Sequence, residues 1–178
     1  GESTATVVVI DEAYGEFRDS GQPSALALLE KFPHLAVSRT MSKSFGMAGL
    51  RLGYLVAAKT IIYDIMRVRL PYHLSALTQA AAIAALSHAS EQLDQLAQLR
   101  KRRDKLASWL AAQGYVVPKT QANFVLFGPF ENRHKVFNDL LERGVLIREV
   151  GPTGFLRVSI GSEREDQAFR AALEEVTK

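Results

Sequence analysis

The stretch Ser38-Arg39-Thr40-Met41-Ser42-Lys43-Ser44-Phe45-Gly46-Met47-Ala48-Gly49-Leu50-Arg51-Leu52-Gly53-Tyr54 sets one lysine among small and hydroxyl residues. A glycine-rich run and an arginine follow it. Upstream, Thr6 to Ile10 is β-branched and apolar, too short for a helix, and reads as a buried parallel strand. It ends in Asp11-Glu12-Ala13-Tyr14, where sheets of this kind place their ligands, outside the carboxyl ends of the strands. Leu35 to Ser38 reads as the next strand and delivers the chain to the lysine loop.

These residue types suit one chemistry. A lysine that loses its proton is the amine nucleophile that a carbonyl cofactor requires, and burial or neighbouring positive charge lowers its pKa. A cofactor phosphate takes hydroxyls, backbone N–H groups and an arginine fork, which Thr40, Ser42 and Arg51 offer. A pyridine nitrogen needs a carboxylate to stay protonated and serve as an electron sink, and Asp11 at a strand end can supply one. Tyr14 can hydrogen-bond a phenolic ring oxygen. The set points to pyridoxal phosphate. A Ser-Lys pair in a loop, or an acidic pair at a strand end, carries no such message by itself. The whole run, preceded by Asp-Glu-Ala-Tyr, is far more specific.

On these residues the chain resembles the C-terminal half of the fold-type I pyridoxal-phosphate aminotransferases, and within them the histidinol-phosphate aminotransferase family. The resemblance covers essentially all 178 residues. It implies an α/β fold: part of the large domain, a mostly parallel sheet with helices, followed by a smaller α+β C-terminal domain. It implies that Lys43 carries the Schiff base, that Asp11 pairs with the pyridine nitrogen and that Tyr14 contacts the ring oxygen. Thr40, Ser42 and Arg51 would bind the cofactor phosphate. In the later part of the chain, Asn123 in Gln121-Ala122-Asn123-Phe124 matches the asparagine at the edge of the family's site. Arg148 in Val145-Leu146-Ile147-Arg148 and Arg157 in Phe155-Leu156-Arg157-Val158-Ser159-Ile160-Gly161 match its anion-binding arginines. The resemblance further implies substrates of small size, histidinol phosphate or a related amine with glutamate and 2-oxoglutarate, and a longer homodimer. The isolated chain is then expected to be poorly stable or inactive.

Composition limits the other classes. Hydrophobic residues make up 47% and charged residues 23%, ordinary for a globular chain. A net charge of +3 favours anionic ligands slightly without arguing for nucleic acid. There is no cysteine, hence no disulfide framework or cysteine metal site, and His34, His73, His88 and His134 show no ligand spacing. No signal peptide and no apolar run of membrane-spanning length is visible, so the expected location is cytoplasmic. The opening without an initiator methionine suits a fragment.

The remaining pattern divides the chain into 1–89, a long connecting helix at 90–114 and a small α+β domain at 115–178. Ser24 to Lys31 reads as a short helix ended by Pro33. Tyr54 to Ala57 reads as a strand, and Lys59 to Arg69 as a helix with Ile62, Ile65 and Met66 on one face. Ser75 to Ser87 reads as an alanine-rich helix suited to close packing. Glu91 to Gln113 is the longest helix, with Leu99, Leu106 and Leu110 on one stripe. Its Arg100-Lys101-Arg102-Arg103 run reads as a solvated face rather than a nucleic-acid patch. Tyr115 to Val117 and Asn123 to Phe127 read as strands, and Val145 to Arg148 as a strand pairing antiparallel with Phe155 to Ile160. Ser162 to Glu165 is a capping box opening the last helix, whose buried face is Phe169, Leu173 and Val176. Arg157 stands in an otherwise apolar strand, where a guanidinium needs an anion or must reach water.

Three alternatives stay open on sequence grounds: an aromatic amino acid aminotransferase, a threonine-phosphate decarboxylase, and a non-catalytic aminotransferase-like module. No helix-turn-helix pattern accompanies the last of these. A phosphate-binding nucleotide loop fails because the lysine precedes the glycines.

Overall fold

The computed structural model of the chain describes residues 6–177. It divides into two compact units, Gly1–Leu96 and Ala97–Lys178.

The first unit is organised on three strands in the order β1 (Val8–Asp11), β2 (Leu35–Thr40), β3 (Gly53–Ala57). β1 pairs parallel with β2, with Asp11 opposite Ser38. β2 pairs antiparallel with β3, with Thr40 opposite Gly53. The mostly parallel sheet is therefore represented by one parallel and one antiparallel pairing. The return from β2 to β3 carries one α-helical turn and a 3-10 turn rather than a crossover helix, and β3 runs antiparallel. Leu35, Ala36 and Val37 are buried in the central strand. β1 is not the buried strand its composition suggests: among the described residues it has a neighbour on one side only, and Val8 and Val9 are 46% and 59% exposed. Between β1 and β2 the chain makes two 3-10 turns, Gly15–Phe17 and Ala25–Leu28, the second in place of the helix read at 24–31. Phe17, in the first of these turns, is buried.

Between β2 and β3 lies α1 (Met41–Ser44), a single turn that carries the lysine. After β3 follow α2 (Lys59–Val68) and α3 (Ala76–Ser87). α2 has no buried residue, and of α3 only Ala82 is buried, so the close packing expected of its alanines is not found within the described residues.

α4 (Ala89–Ala112) carries the division between the two units. In the second unit β4 (Phe124–Phe127) pairs antiparallel with β5 (Leu156–Ser159), and α5 (Arg133–Glu142) and α6 (Glu163–Val176) complete the layer. Period-two alternation sends Val125 and Phe127 of β4, with Val158 and Leu156 opposite them, into the core. There they meet Leu106 and Leu110 of α4, Leu140 of α5 and Phe169 and Leu173 of α6. Phe127 packs edge-on against Tyr115, Phe130 and Phe169 at ring separations of 5.7, 5.6 and 5.7 Å.

Two expected strands shrink to isolated bridges, Val116 with Gly128 and Arg148 with Arg157. The ladder of β5 is formed with β4, where the alternating apolar residues gain burial on both strands. The charge run on α4 is also not uniformly solvated: Arg103 is 2% exposed, and its Nε donates to Asp104 Oδ1 at 2.8 Å. Ser162 and Glu165 form the capping box of α6.

Candidate active site

The first unit gathers its site residues at the carboxyl ends of β1 and β2. Asp11 closes β1, and its Oδ1 accepts from the Ala13 N–H at 2.9 Å and from Ser38 Oγ at 3.3 Å. The carboxylate is thereby oriented by its own turn and by the neighbouring strand. Thr40 closes β2 and caps α1: its Oγ1 accepts from the Ser42 N–H at 3.1 Å and donates to the Leu52 carbonyl at 3.2 Å. The Met41 N–H reaches the same carbonyl at 3.0 Å, so the lysine turn is stapled to the returning chain. Lys43 is exposed on that turn and its Nζ lies 5.7 Å from the centroid of the Tyr14 ring. An ammonium over an aromatic face is held without a covalent or ionic bond that a cofactor would have to break. Arg51 holds a left-handed conformation, φ 51 and ψ 41, rare for a residue with a side chain. Its Nη1 donates to the Ala48 carbonyl at 3.2 Å.

Asn123, Arg148 and Arg157 belong to the second unit. The Asn123 carbonyl accepts from the Ile160 N–H at 2.8 Å, which places Asn123 at the end of the β4–β5 ladder. Arg148 and Arg157 exchange both backbone hydrogen bonds, at 2.9 and 2.8 Å. Directly opposed residues of an antiparallel pair direct their side chains to the same face. Two guanidinium groups thus share one face and line one cavity of about 400 Å³ with Phe137 and Glu149. The Arg157 guanidinium stacks 4.6 Å over the Phe124 ring, and its Nε is buried with no hydrogen-bond partner. Opposed like charges repel, and a buried N–H without an acceptor is costly. Both deficits are removed by one bound anion.

Sequence reading missed an ion cluster behind the first site. Glu12 is buried, and its carboxylate accepts from the Ala25 N–H at 2.7 Å, Ser24 Oγ at 2.8 Å, Arg39 Nη2 at 2.7 Å and Arg18 Nη1 at 2.9 Å. Burial alone would raise its pKa. The Ala25 N–H, Arg39, Ser24 and Arg18 together more than offset this and hold the carboxyl at about 2. Arg39 also reaches Glu16 Oε1 at 3.2 Å. Burial would lower the Arg39 pKa; hydrogen bonds to Glu12 and Tyr54 and the Glu16 charge reverse that and raise it. The usable signal was the acidic pair itself: on a strand end, Asp11 and Glu12 must face opposite sides, so one of the two needs a cationic partner behind the sheet.

Residues 2–175 match the family model for aminotransferase class I and II, and the chain belongs to that family. A histidinol-phosphate aminotransferase of Thermobifida fusca is 56% identical over 167 residues, 94% of this chain and 46% of that protein. Among solved structures, the histidinol-phosphate aminotransferase of Clostridium acetobutylicum superposes with a TM-score of 0.86 at 28% identity, covering 98% of this chain and 55% of that one. The enzyme of Sinorhizobium meliloti, solved in complex with pyridoxal-5'-phosphate, gives 0.84 at 28% identity over 96% of this chain and 48% of that one. The chain spans about half the length of the curated relatives it matches.

Proposed function

We propose that this chain is part of a pyridoxal-phosphate-dependent aminotransferase that moves an amino group between histidinol phosphate and 2-oxoglutarate. The reading is carried by the Lys43 amine beside the Tyr14 ring, on a turn stapled to the strand ends that bear Asp11 and Thr40. The relatives' names supply the substrate class.

The donor set fits the cofactor. Lys43 Nζ attaches it, Asp11 keeps its ring nitrogen protonated, Tyr14 donates to its ring oxygen, and Thr40, Ser42 and Arg51 receive its phosphate. When bound, pyridoxal phosphate supplies the electron sink for charge developing at the substrate α-carbon. Lys43 Nζ would move the proton at the substrate α-carbon as general base and acid. Arg148 and Arg157 orient the substrate through its anionic end, the phosphate in one half-reaction and a glutamate carboxylate in the other. Asn123 belongs to the same proposed substrate-binding set.

Homodimeric assembly and a cytoplasmic location belong to the same reading. The strongly exposed Val68, Leu70, Tyr72 and Leu77 around the α2–α3 connection support an interface with further protein. Among the described residues no helix is long and apolar enough to cross a membrane.

The test is the absorbance spectrum of the intact protein with pyridoxal phosphate, before and after histidinol phosphate is added. A lysine-linked band that converts to the pyridoxamine form supports the reading. A band that ignores histidinol phosphate but responds to phenylalanine moves the substrate to aromatic amino acids. No band at all overturns the cofactor assignment.

A further inference from the structure

We infer that Glu12 and Arg39 are positioning residues that set Asp11 against Lys43, acting from the face of the sheet opposite the site. The inference rests on the proposed cofactor roles of Asp11 and Lys43.

The argument begins with strand geometry. Successive side chains alternate between faces. At the end of β1, Asp11 turns to one side and Glu12 to the other. At the end of β2, Thr40 faces the site and Arg39 faces away. Glu12 and Arg39 meet behind the sheet in a two-pronged pair, Arg39 Nε and Nη2 donating to Glu12 Oε2 at 3.1 and 2.7 Å. Each member is one residue removed from a group that shapes the site. Glu12 follows Asp11 directly. Arg39 precedes Thr40, the cap of the turn that carries Lys43. The pair therefore joins two segments 27 residues apart in sequence at the point where their relative register decides the distance from the Asp11 carboxylate to the lysine turn.

The backbone repeats the link: the Glu12 N–H donates to the Ser38 carbonyl at 2.9 Å. The space behind the sheet leaves little slack. A Cβ on Gly15 would sit 3.3 Å from Glu12 Cβ and 3.4 Å from Arg39 Cζ. A two-pronged guanidinium–carboxylate pair fixes orientation as well as distance, which a single ammonium cannot do. A pair placed only for stability would have no reason to span these two strand ends. Arg18 provides the contrast within the same cluster. It also binds Glu12, at 2.9 Å, but it comes from the segment that follows β1 and does not bridge to β2 through that contact.

The experiment compares Arg39→Lys, Glu12→Gln and Arg18→Met in the intact protein. Three quantities are read: the melting temperature, the dissociation constant of the apoprotein for pyridoxal phosphate, and the midpoint of the pH titration of the lysine–cofactor absorbance band. Arg39→Lys keeps the charge and loses the fork. It is expected to loosen the cofactor roughly tenfold and to move the titration midpoint by about half a pH unit, because Asp11 no longer holds its place. Glu12→Gln, close in shape, is expected to do the same. Arg18→Met is expected to lower the melting temperature while leaving affinity and midpoint at wild-type values. Variants that lose thermal stability but keep both the affinity and the midpoint overturn the inference and leave the pair a structural one. Should Glu12→Gln fail to fold, Arg39→Lys decides by itself. A wild-type protein that forms no lysine-linked band refutes instead the cofactor roles on which the inference rests, a distinguishable result.

Discussion

Arg148 and Arg157 face each other across an isolated antiparallel bridge, exchanging backbone hydrogen bonds of 2.9 and 2.8 Å, so that two cations line one cavity. Two guanidinium groups brought side by side favour a bound anion beyond the Glu149 carboxylate, which is engaged by Arg133 and His134. Arg157→Ala should therefore raise KM for the phosphorylated amine by about 10- to 100-fold, the worth of a charge-assisted hydrogen bond. Arg157→Lys should recover little, because a point charge cannot reproduce the fork over Phe124. Steady-state kinetics with both amino donor and oxo acid measure this. An unchanged KM for both would remove Arg157 from the substrate site.

Lys43 is exposed, and its Nζ lies 5.7 Å from the Tyr14 ring centroid. Lys43→Ala should lower kcat by about a thousandfold or more while leaving the melting temperature of the apoprotein within a degree or two of wild type. Turnover assays paired with thermal melts separate loss of chemistry from loss of fold. Appreciable residual turnover would place the amine elsewhere.

Glu12 sets an acid limit on stability. Its folded pKa of about 2 lies below the ordinary value of 4.5. The contribution is therefore fully present above pH 4.5 and is lost as pH falls towards 2. The difference corresponds to about 3 kcal/mol of stability at neutral pH, of which about 2 kcal/mol is lost between pH 6 and pH 3. Urea unfolding at pH 6 and at pH 3 should show a loss of that order, and Glu12→Gln should flatten this part of the pH profile. Equal pH dependence in the two proteins would show that other carboxylates carry the acid sensitivity.

Gly53 is constrained by close approach rather than by a positive φ. It lies opposite Thr40 in the β2–β3 pair, and a Cβ there would come within 2.8 Å of the Arg39 carbonyl oxygen. Backbone cannot yield as a side-chain end does. Gly53→Ala should cost about 1–3 kcal/mol and weaken cofactor affinity, since the same pairing staples the lysine turn. Denaturant unfolding and cofactor titration together test both parts.

The sequence is most legible where the proposed members of the site lie close in the chain. Thr40, Ser42, Lys43 and Arg51 fall within one short segment, and their chemistry is a property of residue type. Short apolar runs made the strands at Thr6 to Ile10 and Leu35 to Ser38 legible, the second two residues short of where β2 ends at Thr40, and local spacing gave the capping box at Ser162 and Glu165. Less was legible where an element depends on its neighbours. Val145 to Arg148 has the composition of a strand, yet only Arg148 bridges β5, because β5 pairs along its length with β4. Val8 and Val9 read as buried, yet they stand on a strand with a single neighbour among the described residues.

By itself, then, the sequence determined which groups can do the chemistry, the family to which the chain belongs and the faces that alternation must produce. Only the tertiary structure decided which groups meet. The carboxylate of Glu12 is satisfied by donors from Arg18, Ser24, Ala25 and Arg39, up to 27 residues away. Arg148 and Arg157 share a face only because of one particular register. Pairing register and the burial of charge are settled by interactions between distant segments, and no local pattern of residues encodes them.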